Sequence, residues 1–455
     1  VTTRTNGDAG GGGRAGLLLG LSVFAILSAL GHHTWGTADA IQRFAVTRAL
    51  ADRGTVLTPE FGPVKYGPLQ PILMLPPYAL GRLAGRLVPG ADPSRVGYRA
   101  TAFLFTPLLV SLLFVVYRRT LRAEGVPARE TFFGIATLLF TTLLLPYTRL
   151  LFSEPLDAAL ILVSASALAA IAGGGTAGVP LASASALLFL NGAVFGPLAA
   201  AQVGAGVLLA LRRSGRRAAL GVLAAGAAAL SAALVAWALY NRARYGDPLR
   251  FGYAGEGFHT PLAVGLAGLV ASIGRGVVIY SAPTVLALVG FLALRKDRRW
   301  GSLKPVLAFY AAAFCGYLVL YATWDSFEGG WCWGPRFLLP FVPVLHLAIP
   351  FLVLRAGTWT PAKRAAFALP FLLGFTVNAA EDLGAWRDFE KATFGDGAID
   401  YRRSVFEPEY AALLHAAPPE RAAVRLPQFL ALSGAGLLLL RRLARRESSE
   451  VATSP

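Results

Sequence analysis

Charge is what this chain has least of. Of its 455 residues only 15% are Asp, Glu, Lys or Arg, while 55% are hydrophobic. A soluble domain carries roughly a quarter of its residues as charges, so most of this chain is not built to face water. Cysteine is nearly missing too, with two in the whole chain and no Cys-x-x-Cys. A disulfide scaffold and a thiol-liganded zinc module are thereby excluded. No His-Glu-x-x-His occurs and no Lys follows a Gly, which removes zinc-protease chemistry and a Walker A loop. The chain therefore holds no ATP-driven pump of its own. Its five histidines are scattered, and His32-His33, at the end of an apolar run, reads as a wet interfacial pair. No repeat of fixed period is present and the two halves differ, unlike the many secondary transporters built from repeats.

What remains is apolar sequence in runs of membrane-crossing length. A bilayer core needs about 20 such residues per helix. Read this way, the chain is an all-α polytopic membrane protein with about twelve transmembrane helices. They fall near 16–34, 98–117, 132–147, 155–172, 180–195, 197–211, 218–240, 277–294, 305–323, 337–354, 364–380 and 426–441. Residues 180–211 are either two helices parted at Gly196-Pro197 or one kinked helix, and the Gly-Pro pair favours the break. No small-residue cleavage site follows the first span, which makes it a retained anchor.

The basic residues orient these spans. With the N-terminus inside, RRTLRAEGVPAR, RRSGRR, RKDRRWGSLK and RRLARR all fall on the cytoplasmic side, and both termini lie there. That side holds about 22 Lys and Arg against 6 acids, the other about 20 against 19. The net charge of +17 is thus a topology signal and a means of touching anionic lipid, with no nucleic-acid ligand required. TRTNGDAGGGGR and ESSEVATSP read as flexible tails, and AGGGTAG near 172–178 as a tight cytoplasmic connection.

Nearly all non-membrane sequence lies on the outer face, in four pieces: the first outer loop 35–97, then about 241–276, the stretch 324–343 and about 381–425. In the first, DAIQRFAVTRALADRG sets Ile41, Phe44, Ala45, Ala49 and Leu50 at helical spacing with arginines between. This predicts an amphipathic helix on the membrane surface. The next stretch, KYGPLQPILMLPPYALGRLAGRL, is apolar but broken by Pro68, Pro71, Pro76 and Pro77, as a re-entrant or interfacial segment would be.

Candidate chemistry gathers at that face. Asp39 either caps the surface helix or accepts a proton from a hydroxyl. Glu154 and Asp157, in SEPLDAAL, share a helix face at the outer mouth of the fourth span. They either suit the helix dipole or line a polar cleft with Asp39. In WDSFEGGWCWGPRFLLPFVP, Gly334-Pro335 puts Arg336 at the expected N-terminus of the tenth span. Helix end and guanidinium together predict an anion site that fits phosphate. Gly329 and Gly330 allow close backbone approach, while Asp325 and Glu328 must face elsewhere. Trp324, Trp331 and Trp333 read as an interfacial belt, and Trp331 and Trp333 also as substrate contacts. Arg275 in GRGVV, and Lys65 with Tyr66 in KYGPLQP, are further phosphate-binding candidates. The two cysteines, Cys315 in a span and Cys332 in an outer turn, are not expected to pair.

Taken together these residues resemble the polyprenyl-phosphate-dependent glycosyltransferases of the membrane-embedded GT-C superfamily. The protein O-mannosyltransferase and lipid A aminoarabinose transferase relatives, in a bacterial branch, are the nearest in pattern. The resemblance rests on Asp39, KYGPLQP, SEPLDAAL, NRARYGDPLRFGY, IGRGVVIYSAP and, most specifically, GGWCWGPRFLLPFVP. It implies a multi-pass protein of the bacterial inner membrane that works on its extracytoplasmic face. A sugar would pass, with inversion, from a polyprenyl phosphate to an acceptor that is a lipid, glycan or protein. The resemblance makes Asp39 the base and Arg336 the phosphate binder, with Glu154 or Asp157 shaping the acceptor side. No metal site is expected and no cofactor is required, although a divalent cation stays open. Residues 1–15 would be a cytoplasmic tail, 16–380 the catalytic membrane region, 381–425 an outer segment for acceptor contacts, and 426–455 the last span and tail. Three features depart from the pattern: Ala40 follows Asp39 where mannosyltransferases have Glu, KYGPLQP lacks a His-Pro-Pro, and no large C-terminal outer domain follows. The alternatives are a transporter or flippase of polyprenyl-linked sugars and a non-catalytic assembly protein. Acids and Arg336 clustered at one face, away from mid-membrane, favour the enzyme.

Overall fold

Prolines, glycines and polar caps set where the helices of this chain begin and stop. The computed structural model describes residues 9–30, 38–253, 255–297, 300–395 and 397–453, and every regular element among them is helical. α1 (Ala9–Leu30) is followed by α2 (Ala38–Arg53), α3 (Leu69–Leu73) and α4 (Leu75–Leu87). α5 (Pro93–Ala123) starts at Asp92, whose carboxylate accepts from the Ser94 N–H at 2.9 Å, with Pro93 in the first turn where an N–H would go unused. Next come α6 (Ala128–Thr141), α7 (Leu144–Tyr147), α8 (Glu154–Ala172), α9 (Gly178–Asn191), α10 (Gly196–Ser214) and α11 (Arg216–Tyr245). Gly246, at φ +74°, closes α11 in the left-handed conformation that glycine adopts freely. The rest are α12 (Leu262–Ala271), α13 (Val277–Tyr280), α14 (Ala282–Leu294), α15 (Leu303–Thr323), α16 (Val342–His346) and α17 (Ile349–Ala356). α18 (Pro361–Asp382), α19 (Ala385–Phe394), α20 (Arg403–Phe406) and α21 (Pro419–Thr453) complete the chain.

Among the described residues seven helices are long and apolar enough to cross a membrane, or up to nine if two bent pairs each form one span. The seven lie on α1, α5, α8, α10, α11, α15 and α21. One bent pair joins Arg336–His346 to α17 at 49°, the other α18 to α19 at 66°. The remaining expected spans, 132–147, 180–195 and 277–294, fall on α6, α9 and α14, of 14, 14 and 13 residues. Fourteen residues rise only about 21 Å, short of a hydrocarbon core of about 30 Å. Residues 180–211 are two helices, but the break comes at Gly192, four residues before Gly196. Pro197 instead sits in the first turn of α10, where a proline is tolerated.

α8 is the best-buried span and packs against α5, α9, α10, α15 and α16. Its N-terminal end carries Glu154 and Asp157, both buried. α1 and α21 flank α5 and α6. The expected flexible tail ESSEVATSP is a correction: α21 continues to Thr453, and Glu447 is anchored by Arg118 at 3.0 Å and Arg122 at 2.8 Å. A carboxylate held by two guanidiniums keeps that end helical. His32-His33, the Trp35 end of the first outer loop and the N-terminal residues 1–8 lie outside the described residues.

Candidate active site at the outer end of α8

Asp39 stands in the first turn of α2, and its two oxygens are both taken. Oδ1 accepts from the Tyr66 hydroxyl at 2.5 Å and Oδ2 from Arg336 Nη1 at 2.8 Å. The same Nη1 lies 3.7 Å from Glu154 Oε1. Arg43, one helical turn beyond Asp39, lays its guanidinium 4.0 Å over the Tyr66 ring. The sequence thus brings two carboxylates and two guanidiniums from three distant segments into one formally neutral cluster around a phenol from a fourth. Arg43 is buried, and its Nε and Nη1 have no hydrogen-bond partner; neither has Glu154 Oε2. Buried donors and acceptors left unpaired are unfavourable in a protein that binds nothing.

Burial works to raise the Asp39 pKa, but the Arg336 charge, the Tyr66 hydrogen bond and the Arg43 charge outweigh it and hold it at about 2. Tyr66 moves the other way: burial and the neighbouring Asp39 charge push its hydroxyl far above the usual phenol range. Asp39 is therefore ionised and Tyr66 neutral at any working pH, the one accepting and the other donating.

The scaffold around this cluster is specific. Residues 148–153, just before α8, are held from three sides. Gln70 Nε2 donates to the Leu151 and Phe152 carbonyls at 2.9 and 3.2 Å, and Thr106 Oγ1 to the Leu150 carbonyl at 3.1 Å. Arg149, 1% exposed, lies 2.7 Å from both Glu381 and Asp382 at the end of α18. Tyr147 donates to the Trp333 carbonyl at 3.0 Å, tying this segment to the Arg336 stretch. On the other side Arg244 donates to the Tyr66 carbonyl at 2.8 Å and to that of Val64, fixing the KYG turn.

Several expected placements change. Arg336 does not open an α-helix. Residues Arg336–Phe341 form a 3-10 stretch and α16 begins only at Val342, because Pro335, Pro340 and Pro343 interrupt the i→i−4 ladder. The expected helix terminus is therefore missing at Arg336, which leaves its guanidinium alone to meet an anion. On α2, Ile41 is 43% exposed while Arg43 and Thr47 are buried, so the arginine expected on the wet face points into the cluster. Asp157 is buried beside Glu154 but spends Oδ1 on Asn191 Nδ2 at 2.7 Å. Lys65 pairs with Glu256 and sits 5.0 Å over the Tyr253 ring, at the edge of the cluster. Arg275 lies apart, fully buried and committed to the carbonyls of Gly274, Glu328 and Gly330 and to Glu390 Oε1 at 3.1 Å. Trp333 is core, edge-on to Tyr280 and against Trp386, both at 5.3 Å, so it belongs to no belt. Trp331 lines a separate cavity of about 470 Å³ with Trp386, Lys391 and Arg421. Asp325 turns away to the backbone N–H groups of Gly257 and His259. Cys315 and Cys332 are both free thiols.

Arg43, Gln70, Arg149 and Arg244 are absent from the sequence-derived set. Arg149 carried a usable signal, since a lone arginine in LLPYTRLLF must find a buried acid. Among the described residues no group of three or more His, Cys, Asp or Glu gathers as metal ligands would. No protein-family model, curated protein or solved structure matches the chain. The reading of function rests on the geometry of this cluster.

Proposed function

We propose that the chain is an inverting membrane glycosyltransferase of GT-C type, taking a sugar from a polyprenyl phosphate at the extracytoplasmic face of a bacterial inner membrane. The observation that carries this reading is the 2.8 Å contact between Asp39 and Arg336. It sets the residue read as base against the residue read as phosphate binder, which supports one site serving both sides of a glycosidic bond. We further propose the twelve-span topology with both termini cytoplasmic, the short helices α6, α9 and α14 crossing with the help of their irregular ends.

In this mechanism the donor phosphate enters beside Arg336 and Arg43, and the unpartnered N–H groups of Arg43 supply its first hydrogen bonds. Drawn toward the phosphate, Arg336 releases Asp39, whose pKa rises as its counter-charge departs. The acceptor O–H or N–H gives its proton to Asp39, and its heteroatom bonds to the anomeric carbon from the face opposite the phosphate. The carbon–oxygen bond to phosphate breaks with its electron pair, and the new phosphate charge meets both guanidiniums. Positive groups already in place where charge develops favour the transition state over the ground state. Glu154, with one oxygen unpaired, orients the acceptor.

The test is release of lipid phosphate by purified protein offered a panel of polyprenyl-phosphate sugars. Asp39→Asn should lose about 10²–10⁴-fold in rate, and Arg336→Ala about 10²–10³-fold, with both variants folded. Normal turnover by both would overturn the assignment. Movement of labelled lipid across vesicles with its glycosidic bond intact would identify a flippase.

A further inference from the structure

Far from this cluster, α14 and α15 follow one another in sequence yet diverge. α14 packs on α6, α13, α16, α17 and α18, while α15 packs on α8 and α12, and α16 touches both. Between them lies a groove of about 500 Å³. Its walls are two helical stripes. Leu288, Phe291, Leu292 and Arg295 recur at i, i+3, i+4 and i+7 on α14 and its C-terminal edge. Lys304, Ala308, Ala311, Ala312 and Cys315 do the same on α15. Both stripes are apolar inward and end in a cation at the turn joining the helices, where Lys296 adds a third. The neighbouring acids are drawn off: Asp297 is held by Arg355 Nε at 2.8 Å, and Glu124 accepts from the Ser302 N–H at 3.0 Å. Arg295 donates to the Leu292 carbonyl at 3.3 Å.

We propose that this groove is a binding site for an anionic phospholipid. Its phosphate lies among Arg295, Lys296 and Lys304, and an acyl chain lies along the small residues of α15. Charge complementarity selects the occupant: an apolar trough alone takes any lipid, but three cations at its mouth, with no ion pair among the described residues, favour a headgroup with net negative charge. The small side chains at 308, 311 and 312 leave the width a hydrocarbon chain needs. The site is independent of the glycosyl-transfer reading and stands if that reading fails.

The experiment uses the full chain in neutral detergent with phosphatidylglycerol and phosphatidylcholine of identical acyl chains, read by native mass spectrometry. Wild type should retain the anionic lipid at least about tenfold better. Arg295→Gln/Lys296→Gln/Lys304→Gln should lose that preference, while Arg441→Gln/Arg442→Gln/Arg445→Gln, which removes equal charge from α21, should keep it. Ala308→Leu/Ala312→Leu, with every charge intact, should lose retention because the trough is filled. The proposal is overturned if the first triple variant keeps the preference, if the α21 variant abolishes it equally, or if the filled groove binds as before.

Discussion

At Asp39 burial and counter-charge oppose each other, and the outcome fixes how the residue answers to pH. Its pKa in the fold is about 2, below the ordinary 3.8, so ionisation favours the folded state. That stabilisation is complete above about pH 4 and disappears as pH falls through about 2, worth about 2 kcal/mol across the window. The difference in unfolding temperature between wild type and Asp39→Asn should therefore shrink on acidification from pH 5 to pH 2. A difference that ignores pH would mean that Arg336 and Tyr66 do not hold the carboxylate. Arg43 shows why this residue scale is hard to foresee. Its spacing on α2 assigns it to the polar face, and only the Tyr66 ring, 23 positions away in the chain, turns that face inward.

Single elements carry the cluster only because a few contacts lock them. Replacing Arg149 by Leu takes the shared guanidinium from Glu381 and Asp382, leaving Glu381 to Arg387 at 2.8 Å, at a cost of about 3 kcal/mol. A large fall in thermal midpoint is expected, with loss of activity following the fall in folded protein; an unchanged midpoint would show the pair to be dispensable. Gly67 locks the KYG turn differently. A Cβ there would meet the Leu190 carbonyl oxygen at 2.3 Å and that of Asn191 at 2.5 Å, so the turn lies directly on the end of α9. Gly67→Ala should destabilise by about 1–3 kcal/mol. Gly221→Ala, in open space within α11, should be neutral or stabilising by up to about 1 kcal/mol. Denaturation of the two variants side by side separates these outcomes.

For the whole molecule, the long apolar helices and the acids at helix ends were legible because hydropathy and charge are local properties. Asp39, Glu154 and Arg336 stand out as polar residues at span edges, each readable from its neighbours. The break at Gly192, the 3-10 stretch at Arg336 and the inward turn of Arg43 depend on packing between distant segments, which no window of sequence contains. Topology is testable directly. In a Cys315→Ala background, a cysteine at Ser326 should react with an impermeant maleimide on intact spheroplasts, and one at Ser214 only after permeabilisation. Equal labelling from one side would refute the proposed arrangement.

The Asp39–Arg336 contact joins residues 297 positions apart. A ribosome adding about 5–20 residues per second makes the second partner about 15–60 s after the first. Throughout that interval the nascent chain holds its acid in the bilayer margin with no guanidinium from the later half to meet it. The cluster is therefore completed only when insertion is nearly done, and under the proposed function no turnover can precede it.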